Sequence, residues 1–224
     1  MRGDVTDSGI MRVLSKVCDI VSLNVLWLVC SLPIITIGAS TTALYTVMLK
    51  LVKNEEGYIF KGFLNAFKSE FKKSTIIWLI LLLFGGVCFI DYRVSGMMPG
   101  TMGMAFKSIF LLLSFFLVSM AIYSFALTAR YENTVKATLK NALLLTVAKL
   151  PYTLLMTALT VGAVVLSWWN TGIMMLVIPV WILIGTGLLA FVNSHILRRV
   201  FRVFDEKSED DAEEGTASGG KGDN

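Results

Sequence analysis

Between Ser74 and Tyr92 the chain reads STIIWLILLLFGGVCFIDY, an apolar run whose single charge, Asp91, lies at its far end. A helix rises about 1.5 Å per residue, so a run of about twenty residues crosses about 30 Å of hydrocarbon. Comparable runs fall at about 13–36, 105–129, 147–168 and 173–194, with a shorter one at 39–53. Backbone groups inside a bilayer must bond within their own segment, which favours helices. A membrane β-barrel would need short alternating segments, whereas these blocks are continuous. Composition agrees: 55% of residues are hydrophobic and 16% charged, against about 45–50% and about 25% in soluble domains. The expected fold is all-α: a polytopic membrane helical bundle of about six transmembrane helices, the second short or broken, over residues 1–204.

Charge divides the chain. From Asp205 onward there are eight acids and two lysines; the rest holds 18 basic and 8 acidic residues. The segment 205–224 has nothing with which to build a core and is expected to be a disordered acidic tail. Basic residues flank apolar blocks, so they report membrane topology, and no nucleic-acid partner is expected. Sixteen of the eighteen lie in the N-terminus, 50–73, 130–149 and 198–202, while Arg93 and Lys107 fall on the other side. The positive-inside rule then places both termini in the cytoplasm of a multi-pass protein of the cell (plasma) membrane. The N-terminal apolar run starts late and is too long for an ordinary signal peptide, so it reads as a retained helix.

The first helix meets Pro33, which lacks an amide proton and crowds the preceding turn. Gly38 permits a reversal. Thr36, Ser40, Thr41 and Thr42 offer hydroxyls to the backbone groups freed there. The helix after the break either crosses the membrane or forms half of a broken helix; the even number of crossings required by the charges favours crossing. Pro179 is expected to kink the last helix, and Gly85-Gly86 and Gly185-Thr186-Gly187 to allow close helix packing. Trp168 and Trp169 are natural interface anchors.

Residues 54–73 form an amphipathic elbow. Phe60, Phe63, Leu64, Phe67 and Phe71 share one helical stripe, and Lys61, Lys68 and Lys72 cluster beside it. The elbow suits a membrane surface or a partner-contact face. A candidate parallel repeat is also present: Ala43-Leu44-Tyr45 and Asn65-Ala66 correspond to Ala121-Ile122-Tyr123 and Asn141-Ala142, each set preceding a further apolar helix.

Catalytic chemistry is not expected. His195 is the only histidine, and a lone histidine does not make a metal site. The three cysteines lack metal spacing and read as buried thiols. No phosphate-binding glycine loop or hydrolase motif occurs, so no cofactor, metal or catalytic residue is assigned. Asp19 and Asp91 read as boundary charges. Asn24 differs, because an amide among apolar residues must find a partner; a packing bond between helices and a gate are its two readings.

The pattern Asn24, Trp27, Leu32-Pro33, Thr36, Gly38-Ala39, Ala43 and Tyr45, continued by Phe60, Phe63, Ala66-Phe67, Phe71 and Thr75 to Trp78, resembles the YesL family of bacterial integral membrane proteins. The resemblance is strong over the first eighty residues and looser to about residue 200; the acidic tail is outside it. It implies a companion role beside carbohydrate-uptake systems of the ABC type. The expected function is therefore non-enzymatic: an accessory or regulatory membrane component in contact with ABC permease or ATPase subunits. The alternative is a small-solute transporter with its site at the Pro33–Gly38 break. Homo-oligomerisation is left open.

Overall fold

A computed structural model describes residues 9–53, 58–98, 100–167, 175 and 178–219, with side chains described as far as Arg202. Among the described residues these α-helices follow one another: α1 Gly9–Cys30, α2 Ile37–Val52, α3 Ile59–Ser69, α4 Phe71–Ser95, α5 Thr101–Arg130, α6 Val135–Ala148, α7 Leu150–Ser167 and α8 Thr186–Gly219. A 3₁₀ turn, Ile34–Thr36, leads into α2, and a π-helical turn, Trp181–Gly185, leads into α8. No strand occurs among the described residues.

Five stretches are long and apolar enough to cross a bilayer: Ile34–Val52, Phe71–Ser95, Thr101–Arg130, Leu150–Ser167 and Ile178–Arg202. With 22 residues, α1 also has the length for a crossing. Pro33 ends the first helix early, at Cys30 instead of about residue 36. The second span is completed by the 3₁₀ turn, which lengthens α2 to 19 residues.

The bundle is arranged around α2, which touches α1, α3, α4, α5 and α8. Small and hydroxylated residues make this possible. Gly38, Ala39, Ser40, Thr42 and Ala43 are all buried, so neighbouring backbones come close. Tyr45, Met48 and Leu49 continue the buried surface toward Val52. α8 lies alongside α2 in the same direction, with Asn193 meeting Tyr45 and the Arg198 guanidinium donating to the Val52 carbonyl at 3.3 Å. A cation at the carbonyl end of α2 also complements the helix dipole. On the opposite surfaces, large apolar side chains such as Leu83, Phe89, Leu111, Leu154 and Leu166 are exposed, as a lipid-covered surface requires.

The elbow, α3, folds back along α2. Phe63 is fully buried and Ala66 nearly so, while Phe60 is 62% exposed. Phe63 stacks on Phe67, and Phe67 meets Phe71 edge-on at 5.4 Å. The expected surface stripe is thus divided: one part packs into the protein and the rest remains outside. Lys61, Lys68 and Lys72 are all exposed. Only Glu70 separates α3 from α4.

α5, α6 and α7 repeat the long–short–long succession of α2, α3 and α4. Tyr45 and Tyr123 are buried, as are Ala66 and Ala142. Their partners differ: Tyr45 faces Asn193 of α8, whereas Tyr123 pairs with Thr153 of α7 at 3.0 Å.

Three expectations change. The tail enters as a continuation of α8, which is helical to Gly219. Its Glu, Lys and Ala residues prolong an existing helix and need no new nucleus. The cysteines are free, but Cys18 is exposed and Cys30 and Cys88 are only half-buried. The departure after Pro179 takes the form of the π-helical turn. Trp168, Trp169 and the turn at 169–172 lie outside the described residues.

Candidate functional site

Asn24 is the centre of the site. It is fully buried on α1. Its Nδ2 donates to the carbonyls of Trp181 at 3.0 Å and Ile182 at 2.7 Å. Its Oδ1 accepts from the Gly187 amide at 2.8 Å and from the Thr186 hydroxyl. One amide therefore uses both its ends on the π-helical turn and the first residues of α8. The wider winding of that turn takes backbone groups out of the ordinary ladder. In hydrocarbon these groups have no water to bond, so a side chain from α1 must satisfy them.

Gly187 lets the two helices approach. A Cβ there would stand 2.9 Å from the Ile20 carbonyl oxygen and 3.3 Å from the Asn24 Cβ. The other side of the π-helical turn is tied down as well, since the Trp181 indole donates to the Ser167 hydroxyl of α7 at 2.7 Å. α1, α7 and α8 meet at this one turn.

The Pro33–Gly38 break is closed by its own side chains and by α4. The Thr36 hydroxyl lies 2.6 Å from the Cys30 carbonyl and 2.7 Å from that of Pro33. The Trp78 indole of α4 donates to the Ile34 carbonyl at 2.8 Å. Trp27 donates to Thr41 at 3.1 Å, linking the end of α1 to the start of α2. Gly38 is pressed against α4, where a Cβ would lie 2.5 Å from the Trp78 Cβ and 2.6 Å from the Ser74 carbonyl oxygen. Ser74 in turn donates to Thr42 at 2.8 Å. Replacing Trp78 by phenylalanine is expected to cost about 1 kcal/mol. It should also raise hydrogen exchange at residues 31–36; unchanged exchange there would show that the indole bond does not hold the break.

A second polar group lies deeper along α2. Asn193 Nδ2 is 3.5 Å from the Tyr45 hydroxyl and 3.3 Å from that of Thr160. Its Oδ1, with the hydroxyls of Ser40, Ser124 and Ser194, is buried without a protein partner. Asn193 carries the same signal as Asn24, an uncharged amide inside an apolar span, and the sequence reading passed over it.

The sequence-derived residues thus fall into separate places. Asn24 joins α1 to the π-helical turn and the start of α8; Trp27, Pro33, Thr36 and Gly38 lie at the break, where α1, α2 and α4 meet, and Tyr45 stands further along α2 beside Asn193. Phe60, Phe63, Phe67, Phe71, Lys61, Lys68 and Lys72 belong to the α3 elbow and the start of α4. His195 is exposed beside Phe191, its ring centroid at 6.3 Å.

Residues 20–92, which hold the sequence-derived residues but not their partners on the last helix, match the family described as "Protein of unknown function, DUF624". The chain is 32% identical over 152 residues to the uncharacterized protein YteU of Bacillus subtilis (strain 168). That match covers 62% of this chain and 64% of YteU, so the chain spans less than two thirds of that relative's length. It is also 23% identical over 206 residues to the uncharacterized protein YesL of the same organism, covering 90% of this chain and 94% of YesL. No solved structure matches.

Proposed function

We propose, from its similarity to the DUF624 family and to YteU and YesL, that this membrane protein works without catalysis, as an accessory or regulatory component beside an ABC-type carbohydrate-uptake system. The carbohydrate setting comes from the family resemblance. The observation that carries the contact role is the mounting of α3. Phe63 and Ala66 fix this helix to the bundle, while Phe60, Lys61, Lys68 and Lys72 stay exposed. A rigidly held face bearing an aromatic ring and three cations is pre-organised for a partner, which lowers the entropy lost on docking. In this reading the face lies at the cytoplasmic side of the cell membrane with both chain ends, where basic residues gather.

Cross-linking in native membranes, followed by mass spectrometry, tests the proposal. Cross-links from Lys61, Lys68 or Lys72 to permease or ATPase subunits are expected. Recovery of the chain alone, or only with copies of itself, would remove the accessory reading.

A second reading, transport of a small uncharged solute, has one observation in its favour: the unpartnered buried oxygens of Ser40, Ser124, Asn193 and Ser194. It expects flux of a solute by the purified protein in liposomes and loss of that flux in Asn193→Leu. Flux that survives this substitution would move the pathway elsewhere.

A further inference from the structure

The geometry points to a binding site for the headgroup of an anionic phospholipid between α5, α6 and α8. A cavity of about 270 Å³ opens there, lined by Leu127, Tyr131, Asn133, Asn141, Leu144 and Phe201, among others. Small-molecule sites usually span about 300–1,000 Å³. This cavity is therefore too small to enclose a whole lipid, but it can take a headgroup whose chains remain outside.

Its position fits that occupant. The candidate spans Thr101–Arg130 and Ile178–Arg202 both end at its walls. α6, which links α5 to the next span, shows a gradient along its length: Lys136 and Lys140 are exposed in its first half, and Leu143, Leu144 and Val147 in its second. A helix arranged in this way lies with one end among headgroups and the other against acyl chains. The mouth of the cavity lies between the two.

Its chemistry fits as well. The Arg130 guanidinium stands 5.4 Å from the Tyr131 ring centroid and 5.3 Å from that of Phe201. The two rings meet edge-on at 5.9 Å and form an apolar wall. Asn133 and Asn141 supply amides suited to phosphate and glycerol oxygens. Glu132 is the only acid between residues 130 and 149, against Arg130, Lys136, Lys140 and Lys149. The lining itself is apolar and amide, and Arg130, against two of its rings, supplies the cation that such headgroup sites between membrane helices use.

The test uses the full chain, purified and stripped of lipid in detergent. Dioleoyl phosphatidylglycerol and dioleoyl phosphatidylcholine are titrated separately and followed by native mass spectrometry and thermal shift. Tighter binding of the anionic lipid is expected. Lys136→Gln and Lys140→Gln should each lower that preference about five-fold, at about 1 kcal/mol per cation near such a surface. Asn141→Trp fills the cavity, keeps the charge and should abolish the preference; if that variant does not fold, the two lysine variants decide the question. Lys61→Gln on α3 should leave it unchanged. Equal binding of the two lipids would overturn the proposal, as would a preference indifferent to the α6 substitutions. Stabilisation by inorganic phosphate equal to that by the lipid would also overturn it, by assigning the cavity to a soluble anion.

Discussion

Valine at position 38 is expected to lower the stability of the purified protein by about 3 kcal/mol or more, the upper part of the range for overpacking a close contact. The reason is local. A Cβ on Gly38 would fall 2.5 Å from the Trp78 Cβ and 2.6 Å from the Ser74 carbonyl oxygen. Both belong to α4 near its backbone, so no flexible side-chain end can swing aside. α2 and α4 would have to separate, stretching the Ser74–Thr42 bond and moving Trp78 from the Ile34 carbonyl. Alanine should be milder but still clearly destabilising. For a chain of this length about 3 kcal/mol corresponds to a fall in Tm of about 6–12 °C. An unchanged Tm for Gly38→Val would mean that α2 and α4 are not packed in this way.

Asn24→Leu is the second large effect. Leucine keeps the branching and heavy-atom count of asparagine but is larger, so the substitution removes the hydrogen bonds and adds some crowding. Four bonds disappear, and the Trp181 and Ile182 carbonyls, the Gly187 amide and the Thr186 hydroxyl each lose a partner. Single bonds between membrane helices average about 0.6 kcal/mol, and a buried group left unpaired costs about 1–3 kcal/mol. The expected loss is about 2–3 kcal/mol. Coupling provides the sharper check. Asn24→Leu and Thr186→Val should be markedly non-additive, because they break one shared arrangement. Strict additivity would show that the amide and the hydroxyl act independently.

These two positions show how much could be read in advance. The number of apolar runs follows from composition and length, and the interruption at Pro33 follows from a missing amide proton. Asn24 was visible as a group that needed a partner. Its partner was not, because it lies more than 150 residues away, on a turn whose π winding has no local signature apart from the nearby Pro179. Periodicity placed Phe60, Phe63, Phe67 and Phe71 on one stripe but could not divide them, since the division depends on α3 folding back along α2. The acidic tail has the composition of a disordered segment. Composition, however, does not register that the preceding helix has already supplied its nucleus.

The burial of α2 has a consequence for biogenesis. More than half of Ile34–Val52, 56%, is covered by protein, against 17–33% of the other four candidate spans. Its four threonines and one serine make it the least suited of the five to lie alone in lipid. Yet it leaves the ribosome before α4, α5 and α8, which cover it. Synthesis therefore passes through a stage in which the central helix of the finished bundle is its least sheltered part. Conditions that shorten that stage, through faster elongation or a chaperone at the insertion site, favour yield without altering any contact in the mature fold.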